Sequence, residues 1–531
     1  MVKIISFRLV FMILMGLLFP LIASGQDHLK ALATEIFTRL EFELGAYRNP
    51  NLQPPQIDFM NAQTRGAYYD DTLHTIKIEI PLCKLFQTKL KEKEKAEAAI
   101  AMVIGHELGH YVYQSGCSQQ YGYIDYLAID PNHLAIEDHE ELKADFLGGF
   151  LGYMAGYETL NIYQPLFEVM YEHYPFVKEN KSYPPLTRRI EVAEAVDREL
   201  EKMIQLFEAG QRLTLTGNYH QSIACYRTIL SEFKGKEFYN NMAVACLLGA
   251  VDNSRPEEVN YVFPFEMDTQ TRLRFEIRKT PRFNENRRKY FLKIARESLE
   301  SAIAIDPYYL SAHLNLASVY LLEGKISQAN DKLENQTPFA PFDPQESHYF
   351  ETKQLIKGIG LAMQSKKEKA LQAFDDLIRM SSQADFVKMA ELNCRAVKGE
   401  KIMQDTSSVE KYKAEQVDGV TLLNPGKIQW DKIISLVNQK NLSVKRYPHS
   451  TLFCYENQIY IQQIDPSVET SQGYGVGDDM NDILARGIYG NSFELTQTRQ
   501  GAVYVFRESG IMFWTDGNKE VTGWDLFQVS M

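Results

Sequence analysis

The chain has 531 residues and a formal net charge of −12 at pH 7, with 45% hydrophobic and 24% charged residues. A single hydrophobic core stops growing well before this length, so we expect three or four folded units. The acidic balance, without a long basic segment, argues against nucleic acid as a partner. The composition is that of a folded soluble protein and excludes a disordered or multi-spanning membrane chain.

Residues 1–25 have the three parts of a secretory signal peptide. Lys3 and Arg8 are basic, an apolar run extends from Leu9 to Ile22, and small residues follow at positions 23–25. This run is shorter than the roughly 20 residues that a spanning helix needs, so we expect no integral membrane span in the mature chain. An uncleaved anchor is the alternative. We predict a soluble exported protein, periplasmic or secreted, that begins near Gln26.

Residues 26–200 are predicted to form an α+β domain of amphipathic helices and one short strand. In the segment HTIKIEIPL, the residues Ile76, Ile78 and Ile80 alternate with polar residues, which is the period of a strand. A long alanine-rich helix carrying the sequence GHELGH follows it. We expect the strand to lie at a sheet edge, where an extended peptide can add a further strand.

The GHELGH sequence has the spacing of a metal-binding helix. His106 and His110 are four residues apart, so both imidazoles project from one helix face. Glu107 is placed to take a proton from water as a general base. Gly105 and Gly109 each cost about 1 kcal/mol in a helix interior, which indicates that a backbone or a substrate comes close there. The alternative is a salt-bridged surface helix with half-buried histidines.

A catalytic zinc site needs a third protein ligand, and the next helix offers one. Its sequence, IEDHEELKADFLGGFLGYMAGY, has Glu141 and Asp145 in an E-x-x-A-D pattern. Together with HELGH, this pattern resembles the gluzincin metallopeptidases of the CAAX-prenyl-protease and HtpX-like type, over about residues 30–200. The resemblance implies one Zn²⁺ per chain, held by His106, His110 and Glu141, with Asp145 as a hydrogen-bond partner behind the ligands. Four nearby candidates lack the spacing to Asp145: His133, Glu137, His139 and Glu140.

Two further segments carry the same resemblance. SYPPLTRRIEVAEAV, residues 182–196, is similar to the family's closing H-P-P-x-x-x-R-I segment, with Arg189 in register and Tyr183 where a histidine is common. We predict that Tyr183 and Arg189 help to stabilise a developing oxyanion. MNAQTRGAYYDDTLHTIKIEI resembles the family's N-A-x segment, which leads into its edge strand.

Residues 201–400 resemble tetratricopeptide repeats. The segments EAGQRLTLTGNYHQSIACYRTIL and LSAHLNLASVYLLEGKISQANDKL share small and aromatic positions at a period of about 34 residues. Small residues such as Gly210 and Gly358 would let paired helices approach closely. The resemblance implies an α-solenoid with a concave surface for a protein or peptide partner. An insertion at about 251–288 interrupts it, and loops of this length are usually functional or disordered.

Residues 417–531 are predicted to form a small C-terminal α+β domain. Antiparallel strands separated by Gly, Asp and Asn turns meander around one helix, DDMNDILARGIYG. We expect Trp514 and Trp524 to be core residues. The six scattered cysteines are predicted to be buried small hydrophobes, with a Cys83–Cys117 disulfide as the alternative.

These features predict a mainly α protein that acts as a zinc-dependent endopeptidase on exported proteins, in envelope quality control or processing. Its repeats would dock a protein substrate or partner. The alternative is a repeat-based scaffold or chaperone whose metallopeptidase domain is little used or acts on one partner. Glu107 favours the enzyme, because a scaffold has no need of a general base.

Overall fold

The computed structural model describes residues 25–46, 52–114, 123–124, 136–174, 185–255, 260–267, 271–274, 283–336, 347–400, 416–420, 422, 427–489, 494–498, 501–507 and 509–528. This part of the chain is mainly helical, with a separate β-sheet region, which agrees with the predicted class. Among the helices described, none is long and apolar enough to cross a bilayer. The predicted signal peptide lies outside these residues except for Gly25.

The chain divides into two compact units. The first comprises Met1–Ser118 and Ala128–Glu201, and the second comprises Gln119–Leu127 and Lys202–Met531. The predicted repeat region and the predicted C-terminal domain therefore belong to one compact unit.

The first unit combines helices with a three-stranded sheet. Its helices are α1 (Gly25–Leu44), α2 (Ile80–Lys89), α3 (Lys93–Gln114), α4 (Ile136–Met154), α5 (Tyr163–His173) and the start of α6 (Leu186–Leu215). Its strands are β1 (Gln56–Met60), β2 (Ala67–Asp70) and β3 (Thr75–Glu79), in the order β1-β3-β2. β1 runs parallel to β3, and β2 runs antiparallel to it.

The prediction of an edge strand at Ile76–Ile80 was wrong. This segment forms β3, the central strand, with Ile76 and Ile78 buried, while Ile80 already begins α2. The alternating isoleucines identified a strand but not its neighbours. β1 and β2 are only half buried and have no comparable alternation of apolar residues, so they gave no sign in the sequence that both sides of β3 are paired.

Helices α3 and α4 pack with their backbones in close contact. A Cβ atom added at Gly105 would lie 2.8 Å from Cα of Gly148, and one added at Gly109 would lie 2.8 Å from Cα of Ala144. The prediction that another backbone comes close to these glycines is confirmed. The contact lies at the histidines themselves, because Gly105 and Gly109 each precede one of them.

The second unit contains successive packed helices. They are the end of α6, α7 (Tyr219–Glu232), α8 (Lys236–Asp252), α9 (Glu285–Ile305), α10 (Leu310–Leu322), α11 (Ile326–Asp331), α12 (Ser347–Met363), α13 (Lys367–Met380) and α14 (Ala384–Val397). In three pairs an aromatic ring of the second helix fills the space left by a glycine of the first: Gly210 with Tyr226, Gly249 with Phe291, and Gly358 with Phe374. Glycine thus allows close helix approach, as predicted at Gly210 and Gly358. The tetratricopeptide assignment itself stays a prediction.

A ten-stranded antiparallel sheet forms the rest of the second unit. Its strands are β6 (Pro264–Met267), β7 (Thr271–Arg274), β8 (Lys432–Ser435), β9 (Asn441–Tyr447), β10 (Ser450–Tyr455), β11 (Ile459–Ile464), β12 (Glu494–Thr498), β13 (Gly501–Phe506), β14 (Ile511–Asp516) and β15 (Val521–Phe527). They lie in the order β6-β7-β12-β13-β14-β15-β11-β10-β9-β8. Two strands of the predicted insertion therefore belong to the same sheet as the C-terminal strands. Two further short strands, β4 (Tyr123–Ile124) and β5 (Phe233–Lys234), pair with each other.

The predicted C-terminal helix and the core position of Trp524 are confirmed, whereas Trp514 is only partly buried. α15 (Met480–Arg486) begins where the Asp479 side chain accepts from the amide of Asn481, and it ends at Gly487 with φ of 62°. Trp524 is buried, and its indole N–H donates to the carbonyl of Val468. Trp514 is partly buried, and its indole N–H donates to Asp525.

The cysteines described are buried free thiols: Cys83, Cys225, Cys246, Cys394 and Cys454. Cys83, which would form half of the alternative Cys83–Cys117 disulfide, is thus a free thiol. Cys117 lies outside the described residues. The burial of the described thiols agrees with the expectation of small hydrophobic residues, although the Cys394 thiol also donates to Asp375.

Candidate metal centre

Helices α3 and α4 bring three predicted metal ligands together. The Nε2 atoms of His106 and His110 lie 3.0 Å apart. Each Nε2 atom also lies 3.4 Å from a carboxylate oxygen of Glu141. In tetrahedral zinc with ligands at about 2.0 Å, neighbouring ligand atoms are about 3.3 Å apart. The three residues could therefore hold a metal ion, and their spacing and donor atoms are compatible with zinc.

Asp145 supports His106 from behind. Its Oδ1 atom lies 2.7 Å from Nδ1 of His106, and its side chain is buried. The backbone carbonyl of Asp145 accepts a hydrogen bond from the hydroxyl of Tyr163. A carboxylate that accepts from Nδ1–H leaves Nε2 of the same ring as an electron-pair donor, which is the state that binds a metal.

Arg189 forms ion pairs with both carboxylates that α4 contributes to the site, Asp145 and Glu141. Its guanidinium lies 3.0 Å from both carboxylate oxygens of Asp145 and 3.5 Å from Glu141. It also lies over the ring of Phe167, at 4.5 Å from the centroid. Arg189 is thus held among groups that position the ligands, and it also lines the cleft beside them.

Glu107 is buried beside the ligands. Burial raises the pKa of its carboxyl above the usual value, and this outweighs the opposing effect of His106 and His110. The backbone amide of Tyr69 in β2 also opposes this rise. The raised pKa makes Glu107 a stronger base than an exposed carboxylate.

The charges around the ligands favour a cation. Burial disfavours a protonated His106, yet Asp145 and Glu141 hold its pKa well above the usual value. Burial likewise disfavours an ionised Glu141, but His106, His110 and Arg189 lower its pKa. The negative charges of Asp145 and Glu141, which stabilise a proton on the buried His106 imidazole, would also attract a metal ion.

A cleft opens beside the ligands between α3, α5 and β2. Much of its wall is apolar, which the sequence had not indicated, and comes from Ala67, Met102, Val103, Leu166, Phe167 and Met170. The residues from α5 recur at intervals of one, three or four, which is the period of one helix face. Such a face is most often read as core, so this pattern alone did not identify a cleft.

One predicted site residue, Tyr183, lies outside the described residues, and so does the rejected candidate His133. Glu137, His139 and Glu140 belong to α4, but their side chains are not described. The role of Tyr183 stays a prediction.

No family model matches the chain. No curated protein sequence matches it either.

Proposed function

We propose that this chain is a zinc-dependent endopeptidase of the gluzincin type. The proposal rests on the convergence of His106, His110 and Glu141 to within 3.4 Å of one another, with buried Glu107 next to them. Three protein ligands leave one coordination position for water or substrate, the pattern typical of catalytic zinc. A bound zinc ion supplies Lewis acidity, which makes water more acidic and polarises a carbonyl group.

Glu107 would act as the general base. Its carboxylate takes the proton as water attacks the scissile carbonyl, and then delivers that proton to the leaving amine. The Tyr69 amide favours the ionised form of this carboxylate. A substrate bound against the apolar part of the cleft wall would displace water, which strengthens the electrostatic interactions inside.

Asp145 and Arg189 would position the site. The Asp145 carboxylate fixes the ring of His106, and the Arg189 guanidinium holds that carboxylate and attracts Glu141. Since Arg189 also lines the cleft, we retain it as a candidate for stabilising a developing oxyanion. Tyr183 is the second candidate for this role.

The substrate would pair with β2 rather than with β3. In an antiparallel strand, the N–H and C=O of alternate residues point away from the neighbouring strand. The carbonyl of Gly66 bonds to Glu79 on one side, whereas the Tyr69 amide faces Glu107 on the other. The backbone of Ala67 therefore points to the side of the sheet where Glu107 lies. An extended peptide bonded there is recognised through its backbone, so we expect a broad side-chain preference.

The wider role follows from the remaining sequence features. A signal peptide at residues 1–25 would place the mature enzyme in the periplasm or outside the cell, where quality control or processing of exported proteins needs a peptidase. The helical repeats would bind a protein substrate or partner. A scaffold or chaperone with a little-used metallopeptidase domain is the second candidate, favoured by the large share of the chain in the repeats and sheet.

Metal analysis and digestion of the mature chain test the proposal. We expect one zinc per chain and hydrolysis of casein or an unfolded protein that a chelator abolishes and zinc restores. Glu141→Gln should lose most of the zinc, while the matched neighbour Glu140→Gln should keep it. Stoichiometric zinc in Glu141→Gln would exclude the assigned ligand set. Full zinc without hydrolysis of any substrate would favour the scaffold.

A further inference from the structure

An extended segment of the predicted insertion lies buried against the helical repeats. Every residue from Val262 to Met267 is buried, although loops normally run over the surface. The segment includes β6, which packs against α8, α10 and α12. These are the first helices of three successive pairs, and Asn393 of the following helix, α14, also bonds to the segment. The face formed by α8, α10, α12 and α14 is here called the first-helix face.

Polar side chains of the first-helix face bind the backbone of this segment. Asn315 of α10 accepts from the Glu266 amide at 2.9 Å and donates to the Glu266 carbonyl at 2.6 Å. Asn393 of α14 repeats this arrangement at Val262, accepting at 2.7 Å and donating at 3.0 Å. Asn240 of α8 donates to the same Glu266 carbonyl at 2.8 Å. All three asparagines are fully buried.

This pattern is a way of recognising extended peptide backbone. A primary amide carries one acceptor and two donors, so it can bond to the N–H and C=O of one residue together. Buried amides without partners are costly, which means that the face requires a bound backbone or water. Side chains of the segment are also accommodated. Phe263 and Phe265 are both buried, with their rings 5.8 Å apart, and the Glu266 carboxylate accepts from Thr352 of α12 at 2.6 Å.

We propose that the first-helix face is a peptide-binding site that the chain fills with its own residues 262–267. Its ligand is an extended peptide with two apolar aromatic residues at alternate positions and an acidic residue after the second. In the resting chain this site is closed to such peptides, because a tethered segment has an effective concentration in the millimolar range. A protein partner of the repeats must therefore displace the segment or bind elsewhere.

The full-length chain with residues 262–267 replaced by a Gly/Ser hexamer tests this proposal. The probe is a fluorescein-labelled synthetic peptide, NYVFPFEM, which copies residues 260–267, and binding is followed by anisotropy. We expect no binding to the native chain and saturable binding to the chain that carries the hexamer. In the hexamer variant, Asn315→Ala should weaken binding at least tenfold. The matched control, Asn335→Ala, removes an exposed asparagine and should change nothing.

Circular dichroism establishes which variants are folded. If the hexamer replacement unfolds the chain, Phe265→Asp provides a second way to expel the segment, since the Phe265 side chain is fully buried. The proposal is overturned if a folded variant whose binding face no longer holds residues 262–267 does not bind the peptide. It is also overturned if the native chain binds the peptide as tightly as that variant does.

Hydrogen exchange on the native chain gives an independent measurement. The Val262 and Glu266 amides should be protected like those of the helices, and Asn393→Ala should accelerate exchange at Val262 at least tenfold. Unprotected amides at both positions would also overturn the proposal.

Discussion

Oδ1 of Asp145 and Nδ1 of His106 lie 2.7 Å apart, although the two residues are 39 positions apart in the sequence. The close packing of α3 on α4 makes this possible, because glycines and an alanine at the crossing let the backbones touch. The geometry of the candidate metal centre thus depends on residues that carry no functional group. The contributions of individual residues to this site can be tested by separate substitutions.

Asp145→Asn should lower zinc affinity by about 10- to 100-fold without unfolding the first unit, because the ligand would lose a charged hydrogen-bond partner. Titration against a chromophoric chelator measures this. Asp197→Asn is the control, since Asp197 is a partly buried carboxyl of the same unit outside the metal cluster. Equal affinities in the two variants would contradict the positioning role of Asp145.

Glu107→Gln should retain zinc and fold but lower kcat by about 10²- to 10⁴-fold, because the amide cannot accept the proton from water. Turnover of a fluorogenic peptide, with zinc content measured on the same sample, checks this. An unchanged kcat in a zinc-loaded variant would rule out the general base.

Gly105→Ala should destabilise the first unit by about 1–3 kcal/mol, because the new methyl group would meet the Gly148 backbone rather than a flexible side chain. Urea unfolding followed by circular dichroism measures the shift. Gly360→Ala is the control. It lies within a helix, where an added Cβ meets nothing closer than 3.5 Å, so it should be neutral or stabilise by up to about 1 kcal/mol. The prediction fails if both substitutions have the same effect.

His313 should make stability depend on pH between about 6.5 and 4. Burial, assisted by Lys332, lowers the pKa of its imidazole to about 4, despite Asp306 and the Pro307 carbonyl, which favour the charged form. The unfolded chain therefore binds more protons than the native chain in this window, and stability falls as the pH falls. The loss approaches roughly 3 kcal/mol at the acid end.

Urea unfolding of the native chain and of His313→Gln, at several pH values from 7 to 4, checks this prediction. The variant should show a shallower loss of stability with acidification. His449→Gln, at an exposed histidine, is the control and should follow the native chain. Parallel curves for the native chain and His313→Gln would contradict the assignment.

Local patterns carried most of what could be predicted about the metal centre. The four-residue spacing of His106 and His110 is a property of one helix, so it could be read directly. Glu141 and Asp145 required a resemblance, because nothing in the local sequence says which of several acidic residues faces another helix. Arg189 was identified as a site residue, but its contacts with Asp145 and Phe167 depend on how α6 and α5 pack.

Long-range backbone pairing could not be predicted in the same way. Hydrogen bonds between strands use N–H and C=O groups that every residue has, so the sequence does not name their partners. The central position of β3 and the joining of β7 to β12 were missed for this reason. Asn240, Asn315 and Asn393 were missed too, since a buried amide looks like any surface asparagine until its partner is known.

The pairing of β7 with β12 also constrains the order of folding. Leu273 lies opposite Thr496, about 220 residues later in the chain. As the chain emerges into the compartment where it folds, the helices can form from local contacts, while β7 waits for a strand that emerges later. Non-local pairing of this kind is slow, and unpaired strand edges promote aggregation. The emerging chain should therefore depend on a holding chaperone until β12 becomes available, even where its helices have already formed.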